Sequence, residues 1–216
     1  MTEPVRGTLD VVLKQDGADA PCCVYNEIVA LRLAQRIGVP LAMGVPSVGD
    51  GGVYFASLVV GGLSINLPDV TRKKMAGVAK RYPSEAAALF AFDVWIYNDD
   101  RAENLKANLT ANPLPLVAGI DHEKSLLSCV GDMRESLEAL AANRVPMRHP
   151  FKGQLAASRI GEWQRAIQAV SDEAIEAAIV LGYSVGGVHV PSQSRLAQVM
   201  KARRDALPSL LTAAQQ

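Results

Sequence analysis

Cysteine is scarce in this chain of 216 residues, with three in all. Cys22 and Cys23 are adjacent, an awkward spacing for a disulfide, and Cys129 lies far from both. No C-x-x-C pair occurs, and His122, His149 and His189 show no metal-ligand spacing. The pattern argues against a disulfide framework and against a structural zinc site. An excess of either charge is also missing. Twenty-two Lys and Arg balance 22 Asp and Glu, so the chain gives no global nucleic-acid signal. Long apolar runs are absent as well. The longest, such as VYFASLVVGGL, are too short and too broken by glycine to cross a bilayer. The first residues, MTEPVRGTLD, lack the positive-then-apolar order of a signal peptide. The expected setting is the cytoplasm, and no internal repeat is visible.

What is present suffices for one sizeable core, or for two small lobes sharing one. LDVVLKQ reads as a strand, with a turn in DGADAP behind it. VYNEIVALRLAQRIGV reads as a helix: Val24, Ile28 and Leu31 fall at i, i+4 and i+7, and Gly38 with Pro40 stops it. MGVPSV and VYFASLVV, separated by GDGG, give a hairpin signal. Gly61-Gly62 then reads as a hinge or linker. Beyond it the chain turns helical, in VTRKKMAGVAKRYP and more firmly in EAAALFAFDVWIYN, with Leu89, Phe92 and Ile96 on one face. LKANLT and LPLVAGID read as two short strands around the turn ANP. Ser171 is a plausible N-cap for DEAIEAAIVLG, with Asp172 and Glu173 in the first turn. SVGGVHVPSQS reads as a loop, and SRLAQVMKARRDAL as a closing helix. The expected organisation is a small strand–helix–strand–strand unit at residues 1–61, then a mostly helical unit at 62–216 with a two-strand insert.

One segment stands apart. FDVWIYNDDRAENLKANL runs from an apolar helix face into Asn98, Asp99, Asp100, Arg101, Asn104 and Asn108. Phosphoryl transfer calls for such groups, because the protein's task is to position charge. A cation steadies the nucleotide phosphates, and a carboxylate orients that cation. Carboxylate and carboxamide oxygens suit Mg²⁺. A further carboxylate orients the attacking hydroxyl. The chain offers these parts in a compatible order: Lys14 at a strand end, Glu27 on the next helix, the polar segment, and Asp121 after a short apolar strand in GIDHEKSLL.

The order of VVLK, NEIVALRLAQRIGVP, FDVWIYNDDRAENLKANL and GIDHEKSLL resembles the HipA-like kinases, and more distantly the phosphoinositide kinases. HPFKG, EWQ and the closing RLAQVMKARRDAL fit the same likeness, which spans nearly the whole chain. Each motif alone is weak; four in the right order are more specific. The resemblance implies an α+β, two-lobed protein-kinase-like fold, with a reduced N-terminal β lobe and a mostly helical C-terminal lobe. It implies ATP and Mg²⁺ as cofactors, and a hydroxyl acceptor that could belong to a protein. It places Lys14 on the α/β-phosphates with Glu27 as its partner, and the backbone of Leu58, Val59 and Val60 near the adenine. Asp100, flanked by Asp99 and Arg101, becomes the catalytic-loop carboxylate. Asp121 becomes the main metal ligand.

Two departures qualify this pattern. Kinase-like loops put an Asn five residues after the catalytic Asp, but Leu105 stands five after Asp100, and Asn104 stands five after Asp99. Either Asp99 is the base or the loop has lost or gained a residue; Asp100 is favoured because N-x-D-R then matches Asn98 to Arg101, while Asn104 and Asn108 stay rival metal ligands. Only MTEPVRGTLD precedes the Lys14 strand, with Gly7 its lone glycine, so a glycine-rich phosphate lid is expected to be absent or replaced. Plainer readings stand beside these. Arg101 reads more readily as a structural bridge to Asp100 or another acid than as a substrate contact. His122 reads as a packing residue beside Asp121, and Asp93 as a structural hydrogen-bonding group. The clusters Arg72-Lys73-Lys74 and Arg203-Arg204 read as solvated helix faces. A degenerate kinase serving as a nucleotide-binding or interaction module is the alternative function. A scaffold with no nucleotide site would hold Lys14 and Asp121 far apart.

Overall fold

The computed structural model describes residues 8–62, 65–110 and 116–216. Gly7 and the turn ANP (residues 111–113) lie outside the described residues. Strand β1 (Val11–Lys14) pairs antiparallel with β3 (Gly52–Leu58), which pairs in turn with β2 (Gly44–Gly49), giving the order β1-β3-β2. The β2–β3 hairpin closes with Gly49 opposite Gly52, as the GDGG signal suggests. Helix α1 (Cys23–Ile37) stops at Gly38, whose φ of 76° is the left-handed conformation that glycine adopts without a Cβ penalty. Gly61–Gly62 is not a bare linker. It forms β4, a two-residue antiparallel ladder with β5 (Ile65–Asn66), in which backbone groups pair without any side-chain pattern.

A short 3₁₀ turn, Arg72–Lys74, leads into α2 (Met75–Arg81) and then α3 (Pro83–Ile96). α3 carries no single apolar face: every residue from Ala86 to Ile96 is buried. A helix apolar all round belongs at the centre of a core, and α5, α7 and α8 surround it. Strands β6 (Leu105–Ala107) and β7 (Val117–Gly119) form the expected insert. The remaining elements are α4 (Met133–Ala141), α5 (Ala157–Gln168), α6 (Asp172–Ile179), α7 (Val190–Asp205) and α8 (Leu207–Gln215). Ser171 caps α6 as expected, its hydroxyl accepting from the Ala174 N–H at 3.2 Å. Asp132 and Glu135 form a reciprocal capping box on α4. α7 begins inside the expected loop, at a proline suited to the first turn, and α8 extends the chain's helical end beyond it. Among the described residues no helix is long and apolar enough to cross a membrane.

Arg203 corrects the solvated-face reading. It is fully buried and donates to the carbonyls of Val94, Trp95 and Leu140 at 2.8, 2.8 and 3.1 Å. The last carbonyls of α3 have no intrahelical donor, and a buried helix end needs one. Arg204 is largely covered too, pairing with Asp172 and Asp205 and donating to the Val170 carbonyl. One apolar core runs from α1 and Phe55 through α3 to α8. α1 packs on β2 and β3 on one side and on α6 on the other. The Tyr25 hydroxyl donates to the Ile179 carbonyl at 2.9 Å, so α1 is fastened to the helical part of the chain.

Candidate functional site

Lys14 ends β1, and Glu27 lies one turn into α1. The helix aims Glu27 back at the sheet, and Lys14 Nζ meets Glu27 Oε1 at 2.5 Å. The same ammonium reaches Asp121 Oδ1 at 3.0 Å. Three residues remote in sequence thus share one charged cluster. Glu27 Oε1 also accepts the His122 backbone N–H at 2.8 Å, fixing the segment that presents Asp121. Asp121 has φ 54°, a left-handed conformation that Asp adopts at a cost on the order of 1 kcal/mol. Its Oδ1 accepts from the Glu123 N–H at 3.2 Å, an Asx turn that steadies this backbone. Oδ2 takes no partner among the described residues.

Electrostatics follow from this packing. Burial works against the Glu27 carboxylate, but the His122 imidazole and the Lys14 ammonium outweigh it, and the carboxyl is pulled down to about 2. Burial likewise opposes the Lys14 charge. Glu27 and Asp121 overcome it and hold the lysine above its ordinary range. Cys23 sits beside the cluster, and burial pushes its thiol up to about 12, too high for a thiolate nucleophile.

The polar segment follows α3, whose C-cap Tyr97 turns the chain with φ 54°. Arg101 is wholly buried, and its partner is Asp93 rather than Asp100. Nε and Nη2 grip the two Asp93 oxygens at 2.8 and 2.9 Å, a two-pronged fit. Nη1 donates to the carbonyls of Asn104 and Ile120 at 2.7 and 3.0 Å. One guanidinium therefore ties α3, the loop after it and the end of β7 together. With no exposed surface, Arg101 shapes the loop from beneath. Asp93 also accepts from Asn98 Nδ2 at 2.9 Å and from His149 Nε2 at 2.9 Å. Burial opposes its charge, but Arg101 and then His149 keep this carboxyl well below the usual range. His149 Nδ1 accepts the Phe151 N–H, so its proton lies on Nε2, facing Asp93.

Asp99 and Asp100 diverge. Asp99 Oδ1 accepts the Arg148 N–H at 3.3 Å, on the side of the 148–150 segment. Asp100 is one-third exposed, and its Oδ2 lies 3.4 Å from Lys124 Nζ, on the side of the 121–124 segment. Asn104 Nδ2 donates to the Asp100 carbonyl at 3.0 Å, leaving Oδ1 with no donor among the described residues. Ile120 N–H donates to the Asn104 carbonyl, so Asn104 adjoins Asp121. Asn108 N–H bonds to the Leu116 carbonyl at the other end of the β6–β7 ladder, and its Oδ1 accepts from the Thr110 N–H and hydroxyl. Leu105, five residues after Asp100, is buried in β6 and offers no ligand.

Among the described residues no three His, Cys, Asp or Glu side chains gather in a ligand cluster. Glu27 Oε1 is taken up by Lys14 and the His122 N–H, which leaves as donors the Asp121 carboxylate and, next to it, the Asn104 carboxamide. Both are hard oxygen donors, and so few suit an ion that keeps waters and takes further oxygens from phosphates, as Mg²⁺ does. Leu58 ends β3, and Val59 and Val60 follow it. The Leu58 and Val59 N–H groups bond to Met43 and Asp10, and the Val60 carbonyl to Leu67. Sequence reasoning passed over Val12. It shares the Lys14 face two residues back and is 54% exposed. Strict alternation could have found it. Asn26 was also passed over. It is fully buried, and its amide spans the Glu123 and Ser125 carbonyls and the Leu127 N–H.

No family model matches the chain, and comparison with curated proteins finds no match. Its fold does match solved structures. The proinflammatory kinase CtkA of Helicobacter pylori aligns with a TM-score of 0.62 at 11% identity, over 94% of this chain and 88% of CtkA. HipA of Shewanella oneidensis, solved with HipB and operator DNA, aligns with a TM-score of 0.57 at 11% identity, over 88% of this chain. The chain spans 57% of that HipA's length. The fold is therefore kinase-like, as the order of the motifs leads one to expect.

Proposed function

We propose that this chain is an ATP- and Mg²⁺-dependent phosphotransferase of the HipA-like kinase type, passing the γ-phosphoryl group to a hydroxyl. In this reading residues 1–61 form a small lobe, residues 62–216 a mostly helical lobe, and the nucleotide lies between them. The observation that carries it is the Lys14 ammonium held at once by Glu27 and Asp121. A scaffold without a nucleotide site gives no reason for that contact, which crosses from β1 to the far side of the β6–β7 insert.

Each group has a part in this reading. Lys14, oriented by Glu27, binds the α/β-phosphates. Backbone groups of Leu58, Val59 and Val60 meet the adenine edge, and Val12 covers its face. Asp121 and Asn104 supply oxygens for Mg²⁺, which when bound neutralises charge on the β- and γ-phosphates. Asp100 orients the acceptor hydroxyl and takes its proton as the new P–O bond forms and the bond to the β-phosphate oxygen breaks, releasing ADP. Asp99, turned to Arg148, supports the loop. ATP and Mg²⁺ both suit a cytoplasmic setting.

Calorimetry with Mg-ATP tests the reading, with Asp121→Ala as control. Wild-type protein is expected to bind in a Mg-dependent manner and the variant to lose that dependence; no Mg-dependent binding by the wild type would sink the proposal. One observation favours the degenerate-kinase alternative: Leu105 occupies the position five after Asp100. ATP binding with neither autophosphorylation nor slow hydrolysis would support it. Turnover that disappears in Asp100→Ala would rule it out.

A further inference from the structure

A second feature adjoins the catalytic loop. Arg72 and Lys73 of the 3₁₀ turn, Arg148 and Pro150 of the segment after α4, and Ala102 of the loop line a cavity of about 340 Å³. The three cations are exposed, and none has a carboxylate within ion-pair distance among the described residues. Lys106 pairs with Asp69 and Lys124 with Asp100, while Lys74 and Lys152, on the same two segments, are likewise without an ion pair among the described residues. In a chain of zero formal charge, three unmatched cations around one cavity form a local positive site. Its position is set by the loop. The Arg148 N–H is held by Asp99 Oδ1, and Ala102 lies two residues after Asp100, whose own carboxylate faces Lys124 on the 121–124 side of the loop.

From this arrangement we infer that the cavity receives the acceptor, and that the acceptor is an acidic peptide segment with carboxylate side chains beside its Ser or Thr hydroxyl. This inference rests on the phosphotransferase reading and narrows its substrate. Exposed cations on an open rim suit a chain that enters and leaves, whereas small-molecule sites bury most of their ligand. Ala102 and Pro150 give an apolar floor for the aliphatic part of a peptide. Nucleic acid fits less well. It calls for an extended basic track and for aromatic platforms under the bases, and among the described residues no aromatic side chain lines this cavity. Arginine forks at the rim match carboxylates in a two-pronged geometry.

The test uses the full chain and three fluorescent serine peptides of equal length, flanked by Glu, by neutral residues or by Lys. Anisotropy without nucleotide reads docking, and calorimetry with Mg-ATP reads the nucleotide site separately. The Glu peptide is expected to bind about tenfold more tightly than the neutral one, from three solvent-exposed ion pairs. The preference is expected to vanish or reverse in Arg148→Glu and in Arg72→Glu/Lys73→Glu, with Mg-ATP affinity unchanged. Equal binding of all three peptides, or a Glu preference that survives both variants, overturns the inference. So does tighter binding of a short oligonucleotide that the same variants abolish. Failure of wild-type protein to bind Mg-ATP would sink the kinase reading and with it the peptide's role as acceptor, while the anisotropy series still decides whether the cavity docks an acidic peptide.

Discussion

Arg101 Nη2 lies 2.8 Å from His122 Nε2, and because a guanidinium can only donate, that ring nitrogen accepts. The imidazole proton therefore sits on Nδ1, which faces Glu27 Oε2 at 3.6 Å. The contact closes a chain of polar groups from Asp93 through Arg101, His122 and Glu27 to Lys14 and Asp121. The carboxylate beneath the 98–104 loop is thus linked to the ion pair that would hold the phosphates in the proposed reading. His122 contributes by position, consistent with its expected place beside Asp121.

The first prediction concerns the buried end of this chain. Arg101→Met leaves Asp93 buried with only His149 and Asn98 as partners. Removing one member of a buried ion pair costs about 3–5 kcal/mol, because the other charge remains desolvated. Urea unfolding of Arg101→Met should show a loss of that size, and Asp93→Asn/Arg101→Met together a smaller loss than Arg101→Met alone. Equal losses in Arg101→Met and the double variant would show that the Asp93 charge left behind costs nothing when buried without its arginine.

Acid should expose the other end. Glu27 has a folded value of about 2 against an ordinary value of 4.5. A carboxyl whose folded value is the lower one binds fewer protons folded than unfolded across that interval, so stability rises with pH there. The contribution is complete above about pH 4.5 and is lost as pH falls toward about 2. Its size is on the order of 3 kcal/mol. Glu27→Gln should therefore be less stable than wild type near neutrality, with the gap narrowing through this acid window. A gap of constant size would refute the electrostatic origin.

Some of this was legible in sequence, and the reasons differ by element. Val24, Ile28 and Leu31 with the Gly38 stop marked α1, and GDGG marked the β2–β3 hairpin, because both signals are local. Of the order Lys14, Glu27, Asp100, Asp121, the fold gathers Lys14, Glu27 and Asp121 into one cluster, while Asp100 pairs with Lys124. Arg203 was misread because its role depends on the open carbonyls of α3, over a hundred residues earlier. The Asp93–His149 contact likewise joins residues 56 apart and has no local signature. Gly61–Gly62 looked like a linker because two glycines carry no side-chain pattern, yet backbone pairing needs none.

Asn26 gives a prediction that connects packing to the site. Its side chain holds the Glu123 and Ser125 carbonyls at 3.0 and 2.9 Å and accepts the Leu127 N–H at 3.3 Å. Asn26→Ala leaves buried backbone groups without partners, a cost of about 2–4 kcal/mol for such a set. Faster hydrogen exchange is expected at the Leu127 amide, together with weaker Mg-ATP binding, since the loosened loop begins at Asp121. Unchanged exchange at Leu127 would mean that other contacts hold the segment.

The two rival asparagines differ by their place on one ladder. β6 and β7 pair with Leu105 opposite Gly119 and Ala107 opposite Val117. Asn104 thus falls beside Ile120 and Asp121, whereas Asn108 lies four strand positions away, about 13 Å along the chain. A single small cation with ligand distances of about 2 Å cannot take oxygens from Asp121 and from the far end of that ladder. Asn104→Ala should reduce the Mg²⁺ dependence of ATP binding by about tenfold or more. Asn108→Ala should leave it within about twofold and instead lower stability slightly, by loss of the Thr110 contacts, on the order of 1 kcal/mol. Titrating Mg²⁺ at fixed ATP into both variants measures the difference. The reverse ranking would place the metal at the Leu116 end of the hairpin and break the link between Asp121 and Mg²⁺.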